Sequence, residues 1–196
     1  LIRNPVFMGY ALVPALTSMS FFALAVYASF LMRDHYHGSS AEYGVYFIFL
    51  TVGFMSGNFI SARLGSRFST EYMVTFGCIT GVITVEVLAA CVMFMPNNPL
   101  ALFVPGAFIG VAQGLSMPHA QAAAINAEPD LTGTASGVVM FLHFSGAAAA
   151  SLFISVLYDK TFFPLIEVMF IIGLLALACG LFANACKRRQ MGRAVA

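Results

Sequence analysis

Tryptophan is absent from this chain of 196 residues, and Asp, Glu, Lys and Arg together supply only 9% of it. A soluble domain carries about 25% charged residues. This chain therefore cannot coat its outside with water-compatible side chains, and that outside is expected to face lipid. The formal net charge of +1 argues against a nucleic-acid partner, which would want a clustered basic surface. Cysteine is limited to Cys78, Cys91, Cys179 and Cys186, all inside apolar runs. None shows the loop spacing of a disulfide framework or zinc knuckle, so they read as small buried hydrophobes. His35 and His37 share an outer loop but have no third ligand beside them, so no metal site is expected, and no cofactor is implied. No stretch looks like a linker, a low-complexity tract or a soluble domain.

What is present is apolar: 60% of the chain is hydrophobic, with a mean hydropathy of +0.90. A helix needs about 20 mostly apolar residues to cross a hydrocarbon core. Six runs qualify, at approximately 6–32, 42–62, 72–95, 100–126, 133–158 and 163–186. The expected fold is thus all-α, an integral membrane protein with residues 1–196 in a single six-span bundle. The separators are short, and consecutive helices are expected to be antiparallel neighbours. Counting faces alternately, Arg3, Arg63, Arg67, Lys187, Arg188, Arg189 and Arg193 share one side, and Arg33 and Lys160 the other. Lys- and Arg-rich short loops stay cytoplasmic, which predicts a multi-pass protein of the inner (cytoplasmic) membrane with both termini inside. Tyr10, Tyr36, Tyr43, Tyr72 and Tyr158 fall near the predicted interfaces, where an amphipathic ring is comfortable.

Glycines recur four residues apart at Gly53/Gly57, Gly77/Gly81, Gly106/Gly110/Gly114 and Gly133/Gly137. In lipid, close backbone approach across small residues does much of the packing, so spans two to five are expected to pack through them. Pro14, Pro105 and Pro118 sit inside spans and should kink them; Pro118 reads either as a fixed kink or as a gating hinge.

Polar groups at membrane depth usually face a bundle interior or a water-filled cavity. Gln113 and His143 fall near the midplane of spans four and five, His143 on one stripe with Ser136 and Met140. Thr17, Ser20 and Tyr27 form a stripe on span one, and Asn58 lies deep in span two. Gln113, His143, Ser20, Tyr27, Thr17 and Met140 are the candidate substrate-binding residues, with helix–helix hydrogen bonding as the competing role. His119 falls on a different stripe and reads as structural. Glu86 is the one acid well inside an apolar run. It is either a proton carrier or a protonated acid bonded to a neighbouring helix.

An intramembrane protease is rejected. Ser136 in "GTASG" lacks the tight glycine turn, and His143 lies two turns along the same helix, roughly 10 Å away. A channel would need a re-entrant filter segment, and none is visible, so the chain is not read as an enzyme or a pore.

Two stretches carry a resemblance. "NFISARLGSR" (58–67) resembles a degenerate copy of the major facilitator loop signature Gly-x-x-x-Asp-Arg-x-Gly-Arg-Arg, with Asn58 at the first glycine and Ala62 at the aspartate. Arg63, Gly65 and Arg67 match the conserved arginine, the second glycine and the last basic position. "PHAQAAAINAEPDLTGTASGVVMFLHFSGAAAASL" (118–152) resembles the tenth-to-eleventh helix region of bicyclomycin- and chloramphenicol-resistance type drug:proton antiporters, with His119 in place of the expected Asn. The resemblance covers essentially the whole chain, as helices seven to twelve. It implies the C-terminal six-helix half of a twelve-span transporter that exports lipophilic drugs or small metabolites by proton antiport, partnered by its N-terminal half. Alternatives are a homodimeric six-span protein and an uptake transporter for a small organic solute. It further implies that spans one, two, four and five line the cavity, that Arg63, Gly65 and Arg67 form a gating loop, and that the coupling carboxylate belongs to the other half. Glu86, on a supporting span, would then not couple protons.

Overall fold

The computed structural model describes the backbone of residues 1–195 and the side chains of residues 1–190; Arg193 of the basic tail therefore lies outside the described side chains. Six helices make up the fold: α1 (Pro5–Asp34), α2 (Ser40–Leu64), α3 (Thr70–Phe94), α4 (Leu100–Asn126), α5 (Thr132–Val156) and α6 (Phe163–Val195), with a 3₁₀ turn at Pro129–Leu131 before α5. All six are long and apolar enough to cross a membrane. Their starts are set by local chemistry. Asn4 accepts from the Val6 and Phe7 amides ahead of Pro5, Ser39 and Glu42 form a reciprocal capping box, and Ser69 accepts from Tyr72 N. Each bond satisfies an amide that the first helical turn leaves without a partner. The helices match the expected spans to within a few residues except at the end of α6, which runs on through Lys187, Arg188 and Arg189. Apolarity stops there but helix propensity does not, since Lys and Arg are good helix formers and suit the C-terminal end of a helix dipole.

Sequence neighbours are mostly not spatial neighbours, contrary to expectation. α1 packs against α5, α6 and α4, whereas α4 packs against α2, α3 and α1, and α3 also meets α6. Of the consecutive pairs, only α3 and α4 pack extensively. Short loops fix the direction of the next helix but not its position. Five extended residues reach about 17 Å, roughly twice the 8–10 Å between packed axes. Exchanging the triplets α1–α3 and α4–α6 leaves this contact pattern unchanged, so the bundle has a pseudo-two-fold axis. Each triplet donates its first helix to be gripped by the second and third helices of the other. The apolar windows of α1 and α4 are accordingly 61% and 67% buried, against 22–33% for the others. The outer helices show large apolar side chains such as Phe141, Leu152 and Ile83, as a lipid-facing surface requires.

The α2–α4 seam depends on glycine. A Cβ added at Gly110 would stand 2.6 Å from Leu50 O, and one at Gly114 would stand 2.6 Å from both Asn58 N and Phe54 O. Gly53 and Gly57 approach the carbonyls of Ala107 and Val111 from the other side, with no room for a side chain. Gly106 is looser, meeting Leu24 and Leu50 side chains. Gly133 and Gly137 do not take part: nothing lies within 4 Å of a Cβ at either. They sit off the buried stripe of α5, which runs through Ala135, Val139, His143, Ala147, Ala150 and Ile154. The α1–α5 seam instead uses Gly146, whose added Cβ would meet Met19 and Ala15 O at 3.4–3.5 Å, together with the alanines that follow it.

Gly114→Val is expected to destabilise the bundle by about 1–3 kcal/mol or to prevent folding, and Gly137→Val to be tolerated. Thermal unfolding in detergent checks this, and equal effects at the two sites would contradict the seam.

Candidate functional site

Where α1, α4 and α5 meet, one hydroxyl collects three polar groups. Ser18 Oγ lies 2.7 Å from Pro14 O, one turn back on α1, and 2.7 Å from His143 Nδ1 on α5. Gln113 Nε2 on α4 donates to the same oxygen at 3.1 Å. A serine hydroxyl has one proton and two lone pairs. With its proton given to the Pro14 carbonyl, it accepts from both Gln113 and His143, which assigns the imidazole proton to Nδ1 by the hydrogen-bond pattern. Ser18 is fully buried, Gln113 is 4% and His143 6% exposed. Gln113 Oε1 is buried without a partner among the described residues. Ser18 and Gln113 occupy the same position counted from their helix starts, Pro5 and Leu100, so their bond lies near the pseudo-two-fold axis.

The predicted site residues fall into separate places. Gln113 and His143 are brought together, through a serine that sequence reading passed over. Thr17 and Ser20 line a cavity of 30 Å³ bounded by α1, α3, α4 and α6, with Gln113 on its wall. That is room for about one water. Thr17 Oγ1 donates back to Val13 O at 3.0 Å. Met140 is half-buried, one turn before His143. Tyr27 is not part of this cluster. Its single hydroxyl proton is shared between Thr161 O at 2.8 Å and, more weakly, Asp159 Oδ1 at 3.3 Å, clamping α1 to the α5–α6 loop at the end opposite the termini. Seven further residues along α1 from Ser20 is about 10 Å, which carries Tyr27 out of the midplane.

In the loop after α2, Arg63 lies over the Phe59 ring at 4.8 Å, and no carboxylate pairs with Arg63 or Arg67 among the described residues. The position that would hold an acid is Ala62. Gly65 has a structural reason: a Cβ there would stand 2.6 Å from His119 Cε1, so the glycine lets α4 close on the loop. Glu86 is exposed on the outward face of α3.

A second polar network joins the ends of α1, α3 and α6 at the terminal side. Tyr10 Oη donates to Asn184 Oδ1 at 2.7 Å, and Asn184 Nδ2 donates to Thr75 Oγ1 at 3.0 Å and to Glu71 O at 3.3 Å. Lys187 pairs with Glu71. Sequence reading missed this network because it gave Tyr10 to the interface belt and passed over Asn184 inside an apolar run. An amide in such a run was the available signal.

This topology, two interleaved helix triplets with paired central helices, coincides with a sequence match. The profile of the Major Facilitator Superfamily matches residues 3–191. The chain belongs to the major facilitator superfamily. That family consists of membrane transporters, not enzymes. The chain is also 26% identical over 172 residues to YdgK of Bacillus subtilis (strain 168), described as an uncharacterized MFS-type transporter. That alignment covers 87% of this chain and 42% of the relative, so the chain spans under half the length of the relative it matches.

Ser18→Ala removes the shared acceptor and strands two buried donors. A loss of about 1–3 kcal/mol is expected, against little change for Thr17→Ala, and thermal unfolding compares them. At the far clamp, Thr161 Oγ1, Thr161 N and Tyr27 Oη all donate to Asp159, in that order of effect, and hold its carboxyl below the usual carboxylate range. A depressed folded-state pKa contributes stability above the unfolded value, near 4, and this is lost as pH falls through the folded value. Protection of the Thr161 amide from hydrogen exchange, corrected for intrinsic rates, is expected to fall with acidification below about pH 4. In Asp159→Asn it should be low and independent of pH across that window.

Proposed function

We propose that the chain is the C-terminal six-helix half of a bicyclomycin- and chloramphenicol-resistance type exporter. With its N-terminal half it expels lipophilic drugs or small metabolites in exchange for protons. The observation that carries this reading is the Ser18–Gln113–His143 cluster, which places the polar groups of an otherwise apolar bundle on α1, α4 and α5. These are three of the four helices that the family resemblance sets around a transport cavity, and a midplane polar site between repeats is the usual place for a substrate in such folds. Gln113 and His143 hold α1 against α4 and α5, and the spare Gln113 oxygen is free to accept from a solute once the halves part. Substrate contact itself is chiefly apolar, with Met140 on the α5 side, which suits many lipophilic compounds. Arg63 and Arg67 latch the loop at the cytoplasmic side against the other half, which supplies the acid that Ala62 lacks. The bias of cations toward the terminal end supports an inner-membrane protein with both termini in the cytoplasm. Glu86, turned to lipid on α3, takes no part in coupling.

In the complete transporter, Gln113→Ala and His143→Ala are expected to lower drug resistance without lowering membrane abundance. Unchanged resistance would contradict the pocket. Arg63→Ala is expected to slow turnover more than it weakens binding, and a pure binding defect would contradict the latch. In proteoliposomes, drug and proton should cross in opposite directions; movement in the same direction would mean uptake.

A further inference from the structure

At the terminal end, α3 and α6 border an open cleft of 630 Å³. Its floor is polar but already satisfied. Asn184 and Thr75 bond each other, and the Glu71 carboxylate is neutralised by Lys187. The charge left over is Arg188, which lines the cleft, is exposed, and has no ion-pair partner among the described residues. The start of α3 adds the positive end of a helix dipole on the same side.

The wall changes character with depth. From the loop before α3 onto its first turns, Phe68, Tyr72 and Phe76 form an exposed ladder, with ring centroids 5.0 and 5.9 Å apart and planes 22° and 6° from parallel. On α6, exposed Leu181 and Phe182 follow below Arg188, seven residues or about 10 Å along the axis for Leu181. The cleft thus combines a cation from α6, the amphipathic Tyr72 ring from α3 and the hydrocarbon of Leu181 from α6. We infer that this cleft binds an anionic phospholipid, its phosphate on Arg188 and the top of an acyl chain along the Tyr72–Phe76 ladder and Leu181. A free phosphate would use the cation but not the apolar wall, whereas a zwitterionic lipid would use the wall but bring its own cation to Arg188. A basic residue near an anionic lipid surface contributes about 1 kcal/mol, which corresponds to about fivefold in affinity.

The test is native mass spectrometry of the detergent-purified protein titrated with palmitoyl-oleoyl phosphatidylglycerol or the matching phosphatidylcholine. The wild type is expected to retain phosphatidylglycerol about fivefold better. Arg188→Gln should lose that preference, Arg189→Gln should keep it, and millimolar inorganic phosphate should not displace the lipid. Equal retention of the two lipids by the wild type would overturn the inference. So would an equal loss in both variants, since that would mean general surface charge, or displacement by phosphate, since that would mean an anion site without lipid recognition. All the side chains involved are exposed, and thermal unfolding of each variant confirms that the comparison is made on folded protein.

Discussion

Close approach of helix backbones is the constraint on which this structure rests. Lipid tails are as apolar as leucine, so side-chain greasiness gives the helices no reason to associate, and contact must come from packing and polar bonds. The seam between α2 and α4 meets that demand with glycine on both sides, where carbonyls of one helix occupy the space that a Cβ of the other would need. The seam between α1 and α5 meets it with Gly146, Ala147 and Ala150, and adds the Ser18–His143 bond. The two seams are equivalent in the pseudo-symmetric plan but differ in chemistry. The α2–α4 seam adds to its shape one long bond from Ser61 Oγ to Leu115 O at 3.4 Å, whereas the α1–α5 seam adds a short bond between two buried side chains.

That difference connects packing to function. α1 and α4 are the central helices, each enclosed by partners from the other triplet, and they meet through Ser18 and Gln113 near the axis. A hydroxyl that accepts from two helices at once fixes α1, α4 and α5 relative to one another. Any movement of one of these three helices must therefore carry the other two or break the shared bonds. At the terminal end, the Tyr10–Asn184–Thr75 bonds and the Glu71–Lys187 pair tie α3 and α6 to the same unit.

Much of the architecture was legible in the residues. Hydropathy runs located six helices to within a few residues, because composition alone decides whether a segment can lie in hydrocarbon. The end of α6 was missed, since the same measure is blind to a helix that continues into water on Lys and Arg. The neighbour relations were also missed, because a loop's length bounds how far a helix can step without saying where it lands. Glycine spacing identified the α2–α4 seam but misassigned Gly133 and Gly137, since the spacing repeats on any face and only the buried stripe tells which face is used. Of the candidate site, Gln113 and His143 were found as costly polar groups at depth. Ser18 was not, because serine is unremarkable in a membrane helix until its partners are known. Tyr27 shared a stripe with Thr17 and Ser20 but not a depth.

A double-mutant cycle at Gln113 and His143 tests the shared-hydroxyl pin most directly. Thermal unfolding in detergent would compare Gln113→Leu, His143→Leu and the double variant. If both side chains are held by Ser18, the double variant should depart from the sum of the singles by on the order of 1 kcal/mol. Additivity to within about 0.3 kcal/mol would mean that the two residues act independently and that no pin joins α1, α4 and α5.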